Sequence, residues 1–210
     1  MTLSENGAVA TKNVYDDIPR AAASKVVMQS GRHFAQFTMV GEGNILFGVI
    51  RPGWDVEEGE GAYVVDGHCF YATYDPDDGP AGWPGNITWQ GMQASKQGDR
   101  IGMLLDLDQG SMTVYKGDEK LGVMQTEGPS GPFCWAVELW NEDSSTRIAS
   151  GPAPASPTDE ELAAAKVWQR RERLYLPQTA TDAECAAAEA TEATEAAAAA
   201  AEVVEQGDDD

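Results

Sequence analysis

The chain has 210 residues, with 35 acidic and 14 basic side chains and a formal net charge of -21. That surface field repels phosphate backbones and anionic leaflets, so neither nucleic acid nor a membrane surface is an expected partner. No apolar run approaches the roughly 20 residues that span a bilayer, residues 1–24 show no secretory signal, and three widely spaced cysteines (Cys69, Cys134, Cys185) suit reduced thiols in an intracellular, cytoplasmic or nuclear, setting.

Residues 1–28 carry three acids and three bases, and residues 1–25 are set apart as an N-terminal extension. Aromatic residues then concentrate: five of the six Trp and all five Phe fall between residues 29 and 150, which is where a core can be built. The predicted domain is 26–150. In 33–40, Ala35, Phe37 and Met39 alternate with Gln36 and Thr38, the period of a half-buried strand. Residues 44–50 are apolar on both faces and predict a central strand, closed by Pro52 and Gly53. An acidic, Gly-rich loop covers 55–61, a strand is expected in 67–74, and a Pro/Gly/Asp loop containing Trp83 covers 75–85. Further strands are expected at 100–105, 111–115, 121–124, 133–139 and 146–149. Short strands at this spacing, separated by turn residues, predict an all-β fold: an antiparallel β-sandwich.

Residues 98–122 are the clearest local piece. They read as strand, turn, strand, turn, strand. The carboxylates of 106–110 can accept from nearby backbone N–H groups, Gly110 can adopt positive φ, and Gly117-Asp118 suits a two-residue hairpin turn with Gly first. Gly98-Asp99, Ile101-Gly102, Leu105-Asp106, Gly110 and Leu121-Gly122 follow in order and spacing a known signature. The stretch resembles that of SPRY domains, the core of the B30.2 module. Residues 30–37 are similar to that family's opening strand, 44–50 to its Val-Gly-Val-Val strand, and 131–137 to its final pair of strands. The chain departs from the pattern in three places. Gly117-Asp118 replaces an Asn-Gly turn, Ala35-Gln36 replaces an aromatic-acid pair, and no PRY portion is recognisable in 1–25. The resemblance implies a bent, concanavalin A-like sandwich of two antiparallel sheets. It also implies a non-catalytic module that binds peptides or protein surfaces through loops at one edge.

The chemistry-bearing residues agree with a non-catalytic reading. There is no Gly-x-Ser-x-Gly elbow. His33 sits in the opening strand motif, and the adjacent His68 and Cys69 alternate across a strand, so they cannot share a metal. Asp106-x-Asp108-x-Gly110 is not a calcium loop, because its Gly is one position early and position 12 is Gly117. No catalytic residue, metal ligand or cofactor is expected.

The tryptophans divide. Trp135 and Trp89 lie among apolar neighbours and are expected in the core. Trp140 ends its strand before Asn141, and the resemblance implies that a Trp there helps line a peptide pocket; edge packing is the alternative. Trp54 with Asp55, and Trp83 in the loop with Asp77 and Asp78, are either anchors or plugs. If these loops share one patch, Trp140, Asn141, Trp54, Asp55, Asp77, Asp78 and Trp83 bind the ligand. Their acidic lining then favours a ligand with Lys or Arg. The alternative function is lectin-like carbohydrate binding by the same sandwich. Arg51 and Arg147 are either counter-charges for an acidic ligand or members of surface ion pairs.

After residue 150, the prolines of 151–157 predict an extended, weakly packed linker. Thr158 and Glu161 form a capping box that starts a helix over 158–176, ended by Pro177. Residues 177–210 are an Ala/Glu-rich acidic tail, either disordered or a marginal helix, because Ala favours helix while almost nothing large and apolar is there to bury.

Overall fold

The computed structural model describes residues 1–16, 18–56, 61–62, 65, 67–73, 89, 91–126, 130–174, 176–177 and 179–205. In chain order the strands are β1 Thr2–Ser4, β2 Val9–Thr11, β3 Arg20–Ala23, β4 Arg32–Met39, β5 Ile45–Ile50, β6 Cys69–Ala72, β7 Arg100–Asp106, β8 Ser111–Lys116, β9 Glu119–Thr126, β10 Cys134–Leu139 and β11 Ser145–Ser150. Helices α1 (Asp159–Arg173) and α2 (Asp182–Glu205) follow.

The strands form two antiparallel sheets. The larger has the order β1-β2-β11-β4-β7-β8-β9 and the smaller β3-β10-β5-β6. The alternation in β4 is as expected: Ala35, Phe37 and Met39 are buried and their neighbours half-exposed. Strand β5 has β10 and β6 on its edges and is buried on both faces, Phe47 against Phe37 of the other sheet and Leu46 and Ile50 in the cluster with Trp54 and Trp140. The two sheets meet through aromatic rings. Phe37 of β4 stacks on Phe47 of β5 with centroids 4.9 Å apart, and meets Trp135 of β10 edge-on at 6.0 Å. Val49, Ile101, Met103, Leu105, Val114 and Val137 complete this buried layer.

The meander β7-β8-β9 follows the pattern expected from its sequence. Asp106 is buried, and its Oδ1 accepts from the N–H groups of Asp108 and Gln109 at 3.1 and 3.0 Å. Lys116 pairs directly with Glu119, and Gly117 between them has φ of +61°, the conformation that makes glycine the natural residue at this turn.

Two expectations need correction. Residues 1–25 are not an extension outside the sandwich: β2 pairs with β11 in the larger sheet, and β3 pairs with β10 in the smaller. These strands have only three and four residues, too short to display an alternation. The segment 151–157 is not a loose linker. Pro157 is buried, Ser156 Oγ donates to Asp106 Oδ2, and Arg32 donates to the Pro154 carbonyl.

Residues Met1–Ala165 form one compact unit and Lys166–Asp210 another. In the first, the capping box opens α1. The Thr158 N–H donates to Glu161 at 2.8 Å, the Glu161 N–H donates to Thr158 Oγ1 at 3.3 Å, and Glu161 also pairs with Lys120 of β9. In the second, Thr181 and Glu184 make the same box for α2. Arg170 holds Glu189 through two hydrogen bonds, and Leu174, Ala180 and Cys185 are buried together. The beginning of α2 is therefore not an isolated helix.

Candidate functional site: the loop end around Trp140

Strand direction decides which loops can meet. Strands β5 and β10 are antiparallel neighbours, with Ile45 opposite Leu139 and Ile50 opposite Cys134. The start of β5, the end of β10 and the start of β3 lie at one end of the smaller sheet, because Arg20 pairs with Leu139. That end gathers residues 12–16, 18–19, 40–44 and 140–144.

A buried lysine holds them together. Lys12 has no exposed surface; its Nζ donates to the carbonyl oxygens of Trp140 at 2.7 Å and Asp16 at 2.6 Å, and pairs with Asp16 Oδ1 at 3.2 Å. Its backbone completes the join, donating to Ser144 O and accepting from the Asp143 N–H. Burial pushes the Asp16 carboxyl up, but the hydrogen bonds from Lys12 and the Ile18 N–H, with the charges of Arg20 and Lys12, outweigh it and hold it below the usual carboxylate range. Asn141 plays a similar part across the gap: its Oδ1 accepts from the Asn44 N–H at 2.6 Å. Gly43 beside it has φ of +111°, and a Cβ there would lie 2.6 Å from Ser144 Oγ.

Around this braced frame, apolar side chains point to solvent. Tyr15 is 89% exposed, and Val14, Ile18 and Val40 are each at least 40% exposed. Carboxylates of Glu42, Glu142 and Asp143 are exposed among them. Trp140 is half-buried, packed with Trp54, Val56 and Met92 against Leu46, Ile50, Phe70, Ala72, Cys134 and Ala136 on the outer face of the smaller sheet.

Trp54 and Asp55 lie at the opposite end. They follow β5, whose last residue pairs with the first of β10, so the six-residue strand separates them from Trp140 by about 20 Å. Trp54 is half-buried, its ring edge-on to His68 at 5.5 Å, and Asp55 is exposed. Trp140 and Asn141 thus share a loop end, and Trp54 packs against the same apolar cluster as Trp140 from the other end of β5. Asp77, Asp78 and Trp83 lie outside the described residues.

Solved structures place this architecture. The chain is similar to the SPRY domain of human HERC1, with a TM-score of 0.53 and 15% identity over 72% of this chain and 94% of that one. It is also similar to a human SPRY domain, at 0.51 and 14% over 68% and 91%. The fold is that of a SPRY domain. No family model matches the sequence, and a search of curated proteins finds no match.

Among the described residues, the histidines, the cysteines and two of the arginines have the following surroundings. His68 is buried and its Nδ1–H donates to the Ala62 carbonyl at 2.9 Å. Burial, aided by the charge of Arg51, holds its imidazole below the usual range against that hydrogen bond. Ala62 in turn donates its N–H to Glu138, so one residue's backbone links both buried side chains. His33 donates from Nε2 to Ser30 O. All three cysteines are buried, and burial pushes the Cys69 thiol up to about 12. Arg147 pairs with Glu5, while Arg51 lies 4.2 Å over the Phe133 ring and donates to Ser130 O. Both arginines are thus engaged by the protein's own groups. Sequence reasoning missed Lys12 and Tyr15. The signal within reach was the Lys-x-x-x-Asp spacing, with apolar residues around it, in a segment otherwise read as an extension.

Proposed function

We propose that this SPRY fold is a non-catalytic module that binds a peptide or protein surface at the loop end around Trp140. The observation that carries this reading is the Lys12-braced frame, which presents Tyr15, Val14, Ile18 and Val40 to solvent. Apolar side chains on a preorganised frame lose little entropy on binding, and an exposed tyrosine is a strong anchor. Lys12 and Arg20 at this end are each engaged by Asp16. The carboxylates of Glu42, Glu142 and Asp143 therefore set the field that a ligand meets, and they favour one carrying Lys or Arg. The carbohydrate reading lacks a comparable observation: Trp140 is packed against its own sheet, and the Asn141 oxygen is already used.

Affinity capture with the full chain, run beside the Tyr15→Ala and Trp140→Ala variants, tests this. A partner captured by the native chain should bind Tyr15→Ala more weakly by about 2 kcal/mol, with an unchanged melting temperature. Equal binding by both variants would remove the site from this end.

A further inference from the structure

A second segment of this chain has the opposite charge balance. Residues 18–41 contain Arg20, Lys25, Arg32 and His33 and no acid, in a protein with net charge -21. Among the described residues, Lys25 and Arg32 have no carboxylate partner, whereas Arg20 is held by Asp16. Both bases are exposed, Arg32 with one hydrogen bond to the Pro154 carbonyl.

Arg32 lines an opening between the two sheets, and exposed Lys25 lies in the chain between Ser24 and Val26, which also line it. Where β2 and β11 of the larger sheet face β3 and β10 of the smaller, two adjoining clefts of about 90 and 330 Å³ share Ser24, Trp135 and Ile148. The smaller reaches Phe37 and Val137 between alanine walls at Ala10 and Ala22. The larger is lined by Val26, Met28, Arg32 and His33, and Val26 on its rim is 69% exposed. Ile148 pairs with Phe37 and so lies on the inner face of its sheet, which the clefts leave accessible at this edge. Among the described residues, strand β3 pairs only with β10, leaving one row of its backbone groups outside the sheet.

We infer that this inter-sheet opening binds an extended acidic peptide. Its alternate apolar side chains enter the clefts over Trp135 and Ile148, and its Asp or Glu side chains meet Lys25 and Arg32. Three features of the opening select such a ligand. The unused edge of β3 offers main-chain hydrogen bonds to an extended chain and none to a helix face. The two adjoining clefts have apolar linings that suit alternate side chains of an extended chain. Lys25 and Arg32 outnumber the one exposed carboxylate shown against this segment, Asp108 on the Gly31 N–H, so they favour carboxylates in a protein whose net charge repels them.

The test is a selection from a random octapeptide display library against the full chain, followed by fluorescence anisotropy with the enriched peptides. Peptides in which Asp or Glu alternates with apolar residues should be enriched. Their dissociation constants should rise by about tenfold or more in the K25E/R32E double variant and on raising the salt. Ala22→Phe, which fills the cleft, should also weaken them, while Tyr15→Ala should leave them unchanged. Enrichment of basic or neutral peptides only, or acidic peptides indifferent to K25E/R32E, overturns the inference. So does a salt-sensitive dimer of this chain that K25E/R32E dissociates and that blocks all peptide binding, because a second copy then fills the opening. Binding of basic peptides that is lost on Tyr15→Ala belongs to the Trp140 end, so the failure of either site is read apart from the other.

Discussion

The ammonium group of Lys12, with no exposed surface, donates to the carbonyl oxygen of Trp140 across 128 residues of sequence. Through that bond the N-terminal segment and the loop after β10 are fixed as one piece. Removing it leaves two carbonyl groups at a buried position without their donor. Lys12→Ala should therefore destabilise the fold by about 2 kcal/mol or more, and Lys12→Met, which keeps most of the stem, by nearly as much. Urea unfolding at neutral pH measures both. Tyr15→Ala, at an exposed position, should stay within about 0.5 kcal/mol of the native chain. A Lys12→Met protein as stable as the native one would show that packing of the stem matters there and the charge does not.

Phe37 carries the contact between the sheets, touching one aromatic ring on β5 and another on β10. Phe37→Ala should cost about 3–5 kcal/mol, the range for losing a buried aromatic and leaving a cavity. A loss below about 1 kcal/mol in the same urea assay would mean that the sheets do not depend on this stack.

Acid should loosen the fold through named carboxylates. The hydrogen bond from Lys120, then the Thr158 N–H, holds Glu161 below its usual range. Burial pushes Asp99 up, but the Lys96 N–H and Lys116 outweigh it. For Asp16, burial again pushes upward, and Lys12, the Ile18 N–H and Arg20 outweigh it. Each folded pKa lies below its unfolded value, so the stability that these groups supply is complete above about pH 5 and is lost as pH falls through the folded values. The drop in unfolding midpoint between about pH 5 and pH 3 should be smaller in an Asp99→Asn/Glu161→Gln variant than in the native chain. Identical drops would assign acid sensitivity to other groups.

Much of the sandwich was legible because its long strands announce themselves. Strand β4 has eight residues, enough to show alternation, and the meander is punctuated by Asp106, Gly110 and Gly117. Strands β1 and β3 are silent for physical reasons. The first is exposed at all three positions, and the second is Arg-Ala-Ala-Ala, where small side chains give no contrast between faces. At the candidate site, Trp140 could be placed as a loop aromatic, because the apolar run of β10 ends just before it. Its separation from Trp54 could not, since that depends on β5 and β10 being antiparallel neighbours, a pairing that no local pattern encodes. Lys12 was hidden for a different reason: a lysine buried by its hydrogen bonds is identical in sequence to one in solvent.

The order of strands within the sheets has a consequence for how the chain acquires its structure. The last two strands, β10 and β11, lie between earlier ones: β10 between β3 and β5, β11 between β2 and β4. Strands β2 and β3 find their places in the sheets only there, with Val9 opposite Arg147 and Ala23 opposite Ala136. During synthesis β3 must wait for β10 and β2 for β11, outside their sheets, until those strands have left the ribosome. Contacts that close loops of more than about a hundred residues place folding in the slow range of all-β domains, milliseconds to seconds. The waiting interval exposes Val9 and Ala21–Ala23 to pairing with other chains, so the folding yield of this protein should depend on concentration even where its final stability does not.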